Sequence, residues 1–403
     1  MNRPLRVLFV DDDPMVLDGL RRALRPMRQH WLMDFATTGI EALARLEHSP
    51  FDVVVSDMRM PGMNGVELLQ QVMQRRPEAV RLILSGQADE RLVFQCVGVA
   101  HQYLAKPCDP EALRSAIHRA TLAGTSLNNP RLRQLLGRLD HLPSMPKVYE
   151  ELLRKLENPE TSLQELAETV GRDPAMTAKI LKLVNSAFFG LPHTVTDLQE
   201  AVGFLGLGTL KTLVLAVHAF QQYESRDLAW FPYEKLWHHS LAVGTRARDW
   251  ARSMATSGEI AEQAAVAGLL HDLGQLILAA NLKDEYSQVW LQATQQRRPL
   301  DEVEHAALGT THAEVGGYLL GLWGLPVPIV EAIAHHHHPG EPADRAFSAL
   351  TAVHLAETVR PSDDPYPEEC PCGPEKAYLQ LLGLGVPPEL SPALHDRSSA
   401  HET

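Results

Sequence analysis

The chain has 403 residues, 45% of them hydrophobic and 22% charged, enough apolar material for two or three soluble cores. Its 37 basic against 50 acidic side chains give a net charge of −13, a balance that repels nucleic-acid backbones and anionic membranes as a whole. No uninterrupted apolar run reaches the ~18 residues of a membrane span, the N-terminus does not read as a signal peptide, and the four cysteines make no disulfide framework; a cytoplasmic protein without membrane insertion is expected.

Residues 1–123 alternate short β-branched runs with amphipathic stretches at helical spacing. Strands are predicted at Arg6–Val10, Met33–Ala36, Val53–Ser56, Val80–Leu84 and Gln102–Ala105, with helices such as Val16–Leu24 and Val66–Met73 between them. Apolar strands alternating with helices predict an α/β doubly wound domain around a parallel five-stranded sheet. Asp13-Pro14 and Asp109-Pro110 each set a capping carboxylate before a proline suited to a first helical turn.

Asp11 and Asp12 close the first strand, Asp57 the third and Ser85 the fourth, and Lys106-Pro107 follows the fifth. The carboxyl ends of parallel strands share one rim, so these residues meet there although they are far apart in sequence. Asp11, Asp12 and Asp57 offer the hard oxygens that Mg²⁺ takes. Asp57 can also act as the nucleophile, Lys106 can neutralise a phosphoryl group, and Ser85 can donate to it. Taken singly, an Asp-Asp pair is ordinarily a helix cap, Lys-Pro a turn and Tyr103 a half-buried strand aromatic. Their joint order on strand ends argues for chemistry. VDDDP at 10–14, SDMRMPGMNG at 56–65, LSG at 84–86 and YLAKP at 103–107 resemble the receiver domain of two-component response regulators. The resemblance implies Mg²⁺-dependent phosphotransfer from a partner histidine kinase to the phosphoacceptor Asp57, with Ser85 and Tyr103 as the switch pair.

Gly124 to Asn129 is small and polar and reads as a linker, and Leu132, Leu135, Leu136 and Leu139 mark an amphipathic connecting helix, giving a linker segment over 124–139. From 140 to 358 only helical periodicity is visible, which predicts an all-α domain. Val148, Leu152 and Leu156 mark a helix stopped at Asn158-Pro159, and Ser162-Leu163-Gln164-Glu165 is a capping box. Asp173-Pro174 opens a helix carrying Met176, Ile180, Leu183 and Val184 on one face. Fifteen of the 19 histidines follow residue 130, so this half does different chemistry. Residues 359–403 form an extension, proline-rich and acidic from Pro361 to Pro374 and expected to be partly disordered. Cys370 and Cys372 alone are too few for a structural zinc.

LPSMP at 142–146, DPAMTAKILKLVNSAFFG at 173–190 and LGLGTLKTLVLA at 205–216 resemble the HDOD family, helical output domains related to HD phosphohydrolases. WHHSLAV at 237–243, HDLG at 271–274, THAEVGGYLL at 311–320, WGLP at 323–326 and the histidines at 335–338 continue the resemblance. It implies a candidate metal set of His239, His271 and Asp272, which His312 with His336 or His337 would extend to a second ion. Imidazole with carboxylate suits Zn²⁺, Mn²⁺ or Fe. An adjacent His-Asp pair shares a metal best near a helix end, which Gly274 suggests. Glu357 stands where the enzymes carry an aspartate, and no GYP signature follows His337, so cyclic-di-GMP hydrolysis is not expected. Single histidines in such helices ordinarily sit in satisfied hydrogen bonds, and His338 reads as a solvated helix end.

Two functions follow. In the first, Asp57 phosphorylation changes how the helical module contacts a protein output partner, with a homodimer left open. In the second, it gates a metal-dependent phosphohydrolase acting on a nucleotide. DNA binding is a weaker third: Leu163 to Asn185 has a helix-turn-helix outline, but its second helix offers only Lys179, Lys182 and Asn185 to a groove.

Overall fold

The computed structural model describes residues 3–85, 99–126, 130–138, 142–143, 151–152, 155, 158, 161–185, 195–204, 220–221, 230–254, 257–340, 346–358 and 376–383. The N-terminal strands are β1 (Leu5–Val10), β2 (Trp31–Ala36), β3 (Val53–Asp57), β4 (Val80–Ser85) and β5 (Gln102–Ala105), all parallel in the order β2-β1-β3-β4-β5. β1 and β3 are buried along almost their whole length, as expected of strands covered on both faces. Helices α1 (Pro14–Ala23), α2 (Gly39–His48), α3 (Gly65–Arg75) and α4 (Pro110–Ser126) supply the cover among the described residues. Asp13 caps α1 by accepting from Met15 N, and Asn64 with Glu67 forms a capping box at α3. Sheet and helices thus follow the sequence expectation, with β2 two residues longer at its start.

α4 continues to Ser126, into the stretch read as a linker, and α5 (Pro130–Arg138) follows with Leu132 and Leu136 buried. The other helices are α6 (Leu163–Val170), α7 (Pro174–Val184), α8 (Tyr233–Ser253), α9 (Gly258–Leu270), α10 (Leu273–Asn281), α11 (Lys283–Gln296), α12 (Leu300–Leu308), α13 (His312–Leu322), α14 (Val327–His335), α15 (Ala349–Thr358) and α16 (Lys376–Leu381). This half is helical as expected, with one small addition: Leu142–Pro143 and Phe220–Gln221 form a two-residue parallel ladder. The capping box at Ser162 and the Asp173 cap are present. Leu166, Ala167, Val170, Met176, Ile180, Leu181 and Val184 are buried, so the helix-turn-helix outline spends these apolar positions on the core. The apolar stretch Gly258–Asn281 is 89% buried inside the protein, as a core element is. Leu139, Val148, Leu156, the Pro361–Pro374 segment, Cys370 and Cys372 lie outside the described residues, as does the Ser85 side chain.

The two halves share one hydrophobic core. α13 packs against α4, and Gln102 of β5, itself buried, donates through Nε2 to Leu322 O at 3.1 Å and Gly321 O at 3.4 Å at the end of α13. Arg81 of β4 is fully buried; it donates to Val99 O at 2.7 Å, Pro77 O at 3.1 Å and Gly137 O of α5 at 2.6 Å. Burial lowers its pKa to about 10, which leaves it charged at neutral pH.

Candidate phosphoacceptor and metal sites

β1 and β3 pair in register with Val10 beside Ser56, which sets the next residues, Asp11 and Asp57, at the rim. Both are buried, at 2% and 7% exposure, so their charges need partners. Lys106, from the end of β5, supplies one: its Nζ donates to Asp11 Oδ2 at 2.6 Å and pairs with Asp57 Oδ1. Asp11 Oδ1 accepts from Asp13 N at 3.0 Å, and Asp57 Oδ2 from Arg59 N at 3.1 Å. Burial raises the Asp57 pKa; Lys106 opposes this and Asp11 adds to it, leaving it raised. Burial lowers that of Lys106, but its bonds to Asp11 and Asp57 outweigh this and raise it. A Cβ at Gly65 would overlap the Asp57 carbonyl oxygen, so only glycine lets α3 start against the end of β3.

Asp12 is exposed beside Asp11. Tyr103 is buried rather than half-buried, and the Ser85 backbone pairs with Ala105. The oxygens of Asp11 and Asp57 on one rim, with Asp12 at its open side, are a donor set suited to Mg²⁺, which keeps several waters and takes one or two carboxylates.

In the helical half the candidate ligands come from separate helices. His239 lies in α8, His271 and Asp272 between α9 and α10, His312 at the first position of α13, His336 and His337 just past α14, and Glu357 near the end of α15. All are buried except His337, which is half-buried. Glu357 Oε2 lies 2.8 Å from His239 Nε2 and 3.3 Å from His271 Nε2, so the longer side chain reaches the cluster. Asp272 Oδ2 is 3.3 Å from His271 Nε2 and its Oδ1 3.1 Å from His312 Nε2. His312 Nε2 and His337 Nε2 face each other at 3.0 Å. Three overlapping groups have ligand atoms within 4.8 Å of one another: His312–His336–His337, His239–His271–Glu357 and His271–Asp272–His336.

The ring orientations fit a metal. Nδ1 of His271 donates to Gly268 O and Nδ1 of His336 to Ile333 O, both at 2.7 Å. Each bond orients its ring so that Nε2 faces the cluster. Among the described residues, neither of these buried Nε2 atoms has a hydrogen-bond partner. Burial opposes a charge on His271, but Asp272 and Glu357 outweigh it and hold its pKa at about 10. Burial lowers His337 to about 4, and burial with neighbouring histidines keeps His336 well below its usual value.

The helix end expected at the His-Asp pair is present. The break falls at His271 and Asp272 themselves, which lets both side chains turn to one place, and Gly274 lies inside α10. A Cβ there would overlap the His312 carbonyl oxygen, so glycine brings α10 and α13 together backbone to backbone. His338 is exposed as expected, yet its Nε2 lies 3.2 Å from the buried Asp301. A cleft of about 540 Å³ lined by Arg298, Asp301, His305, Glu314, His337 and His338 reaches the cluster through His337. Sequence reading missed Asp301, Glu304 and Tyr286 around the cluster, and Arg81 and Gln102 at the seam. The i,i+3 spacing of Asp301 and Glu304 on the Val303 face of α12 was the available signal.

Comparison with known proteins finds two families along the chain. Residues 7–118 match the response regulator receiver domain and residues 142–339 the HDOD domain. An uncharacterized protein of Treponema pallidum is 29% identical over 236 residues, 58% of this chain and 45% of that protein. The hydrogenase transcriptional regulatory protein HoxA of Cupriavidus necator is 37% identical over 119 residues, 29% of this chain and 24% of that one. The chain thus spans less than half the length of these two curated relatives. The MmoQ response regulator of Methylococcus capsulatus is similar at 25% identity and a TM-score of 0.46, covering 64% of this chain and 98% of that one.

Proposed function

We propose that this chain, a two-component response regulator that joins a receiver domain to an HDOD domain, is a phosphorylation switch whose output is the altered surface of its helical half. A partner histidine kinase is the donor. An Asp57 oxygen forms the new O–P bond as the donor's N–P bond breaks, and the imidazole leaves with the electron pair. Mg²⁺, when bound by Asp11 and Asp57, would shield the charge of the transferring group. Lys106, already on Asp57, can follow the phosphoryl oxygens, and Ser85 can donate to them. The aspartyl phosphate carries about −1.5 to −2 charges where the carboxylate carried one, so the rim gains up to about one negative charge and three acceptor oxygens. The observation that carries the reading is the Gln102 bond to Leu322 and Gly321: β5, which carries Tyr103 directly after Gln102, grips the helix that begins at His312. A shift at the rim has a physical route into the helical half, and from there to a protein partner. Acetyl phosphate with Mg²⁺ should add one phosphoryl group to the wild type and none to Asp57→Asn; equal labelling of both sinks the assignment.

The cluster at His239, His271, Asp272, His312, His336, His337 and Glu357 supports a second reading, that the helical half binds one or two transition-metal ions. Zn²⁺, Mn²⁺ or Fe there would activate a water for attack on a phosphoester. Burial of nearly every ligand argues for a structural or sensing metal over open-site hydrolysis, since a catalytic metal keeps a position for water and substrate. No turnover of cyclic-di-GMP is expected from beryllofluoride-activated protein with Mn²⁺ or Fe²⁺. Turnover lost in His271→Ala and Asp272→Ala would promote the hydrolase reading.

A further inference from the structure

Glu304 is fully buried on α12 and touches none of the ring atoms that face the cluster centre. Its Oε1 accepts from the Tyr286 hydroxyl at 2.6 Å, and its Oε2 accepts from both the backbone N and the Nδ1 of His312, each at 2.7 Å. A carboxylate with no exposure and three short donors is an ion held in the core on purpose of geometry. It fixes three things about His312. The backbone bond anchors the first residue of α13, the side-chain bond sets the plane of the ring, and the proton held on Nδ1 leaves Nε2 as the ring atom that turns to the cluster. That Nε2 points at Asp272 Oδ1, 3.1 Å away, and His337 Nε2, 3.0 Å away. His271 and His336 have their Nδ1 protons taken by neutral backbone carbonyls. His312 alone among the three has its proton taken by a carboxylate, which makes its Nε2 the most electron-rich of them.

We infer that Glu304, held by Tyr286, is a positioning residue for a transition-metal ion at His312, raising the ligand strength of its Nε2 without touching the ion. The inference rests on the metal reading of the cluster given above. A purely structural tie between α11, α12 and α13 would need the hydrogen bonds; the metal role also needs the negative charge. Glu304→Gln keeps the shape and removes the charge, and Tyr286→Phe removes one hydroxyl from the far side.

The test is Zn²⁺ affinity of the full chain by competition with a chelator, with thermal melting of the metal-free proteins alongside. Glu304→Gln should weaken Zn²⁺ about 10- to 100-fold, Tyr286→Phe should weaken it less, and Zn²⁺-loaded wild type should show His312 protonated at Nδ1 in its imidazole ¹⁵N shifts. Wild type that binds Zn²⁺ with the same affinity as Glu304→Gln and Tyr286→Phe overturns this inference and leaves the metal reading standing. Wild type that binds no Zn²⁺ overturns both. If Glu304→Gln fails to fold, Tyr286→Phe and the ¹⁵N signature decide alone.

Discussion

The rim at Asp57 and the cluster at His271 solve the same problem, gathering charge that would not stay together unaided, by different means. At the rim, parallel strands end side by side, so register alone brings Asp11 to Asp57, and one lysine bridges the pair. In the cluster no register exists. His239, the His271-Asp272 pair, His312 and Glu357 arrive on separate helices, and the meeting depends on how closely those helices approach. Glycine sets that approach in both places. Gly65 lies against the Asp57 carbonyl and Gly274 against that of His312. A strand-end site is thus local and tolerant of what surrounds it, whereas a helix-junction site is only as good as the packing of its half.

If the sites are chemically separate, crossing the variants should keep them so. His271→Ala should lose bound transition metal and still accept one phosphoryl group at Asp57. Asp57→Asn should do the reverse. A His271→Ala protein that is no longer phosphorylated would break the comparison at its root.

The seam gives the next largest effect. Arg81→Met removes donors from the carbonyls of Val99, Pro77 and Gly137 in a buried setting. Denaturant unfolding should report a loss of about 3 kcal/mol or more, since each stranded carbonyl costs roughly 1–3 kcal/mol. A loss under about 0.5 kcal/mol, the range of ordinary surface changes, would mean that the linker helix is not held there.

The smallest effects come from the two glycines, and they sharpen the contrast. Gly65→Ala and Gly274→Ala each force a methyl against a backbone carbonyl, and overpacking of this kind costs about 1–3 kcal/mol. Gly65→Ala should slow labelling of Asp57 and leave metal binding intact, and Gly274→Ala should weaken metal binding and leave labelling intact. The same loss of both activities in either variant would show that the sites are not separable.

Much of the rim was legible because its residues follow directly on β-branched apolar runs, and the caps at Asp13, Ser162 and Asp173 were legible because a short polar side chain before a helix has one common use. The cluster's candidate ligands were named from a resemblance, not from periodicity. Two kinds of residue stayed hidden. Arg81 and Gln102, at polar positions of β4 and β5, look like solvent-facing strand residues until α5 and α13 cover them. Glu304 and Asp301 sit on a helix whose neighbouring acid, Glu302, is exposed, so burial, which decides their role, is invisible in one dimension. Gly274 was only half legible: the helix end it signalled lies beside it at His271 and Asp272, but its contact with the His312 backbone depends on a helix distant in sequence.

The proposed switch requires that the Asp57 rim and the helical half move together through the β5–α13 seam. Hydrogen exchange of the full chain with and without beryllofluoride tests it directly. The account predicts changed exchange in β5, in residues 130–138 and in α13, absent in Asp57→Asn and reduced in Gln102→Ala. A change confined to residues 3–85 and 99–121 in the wild type would contradict it.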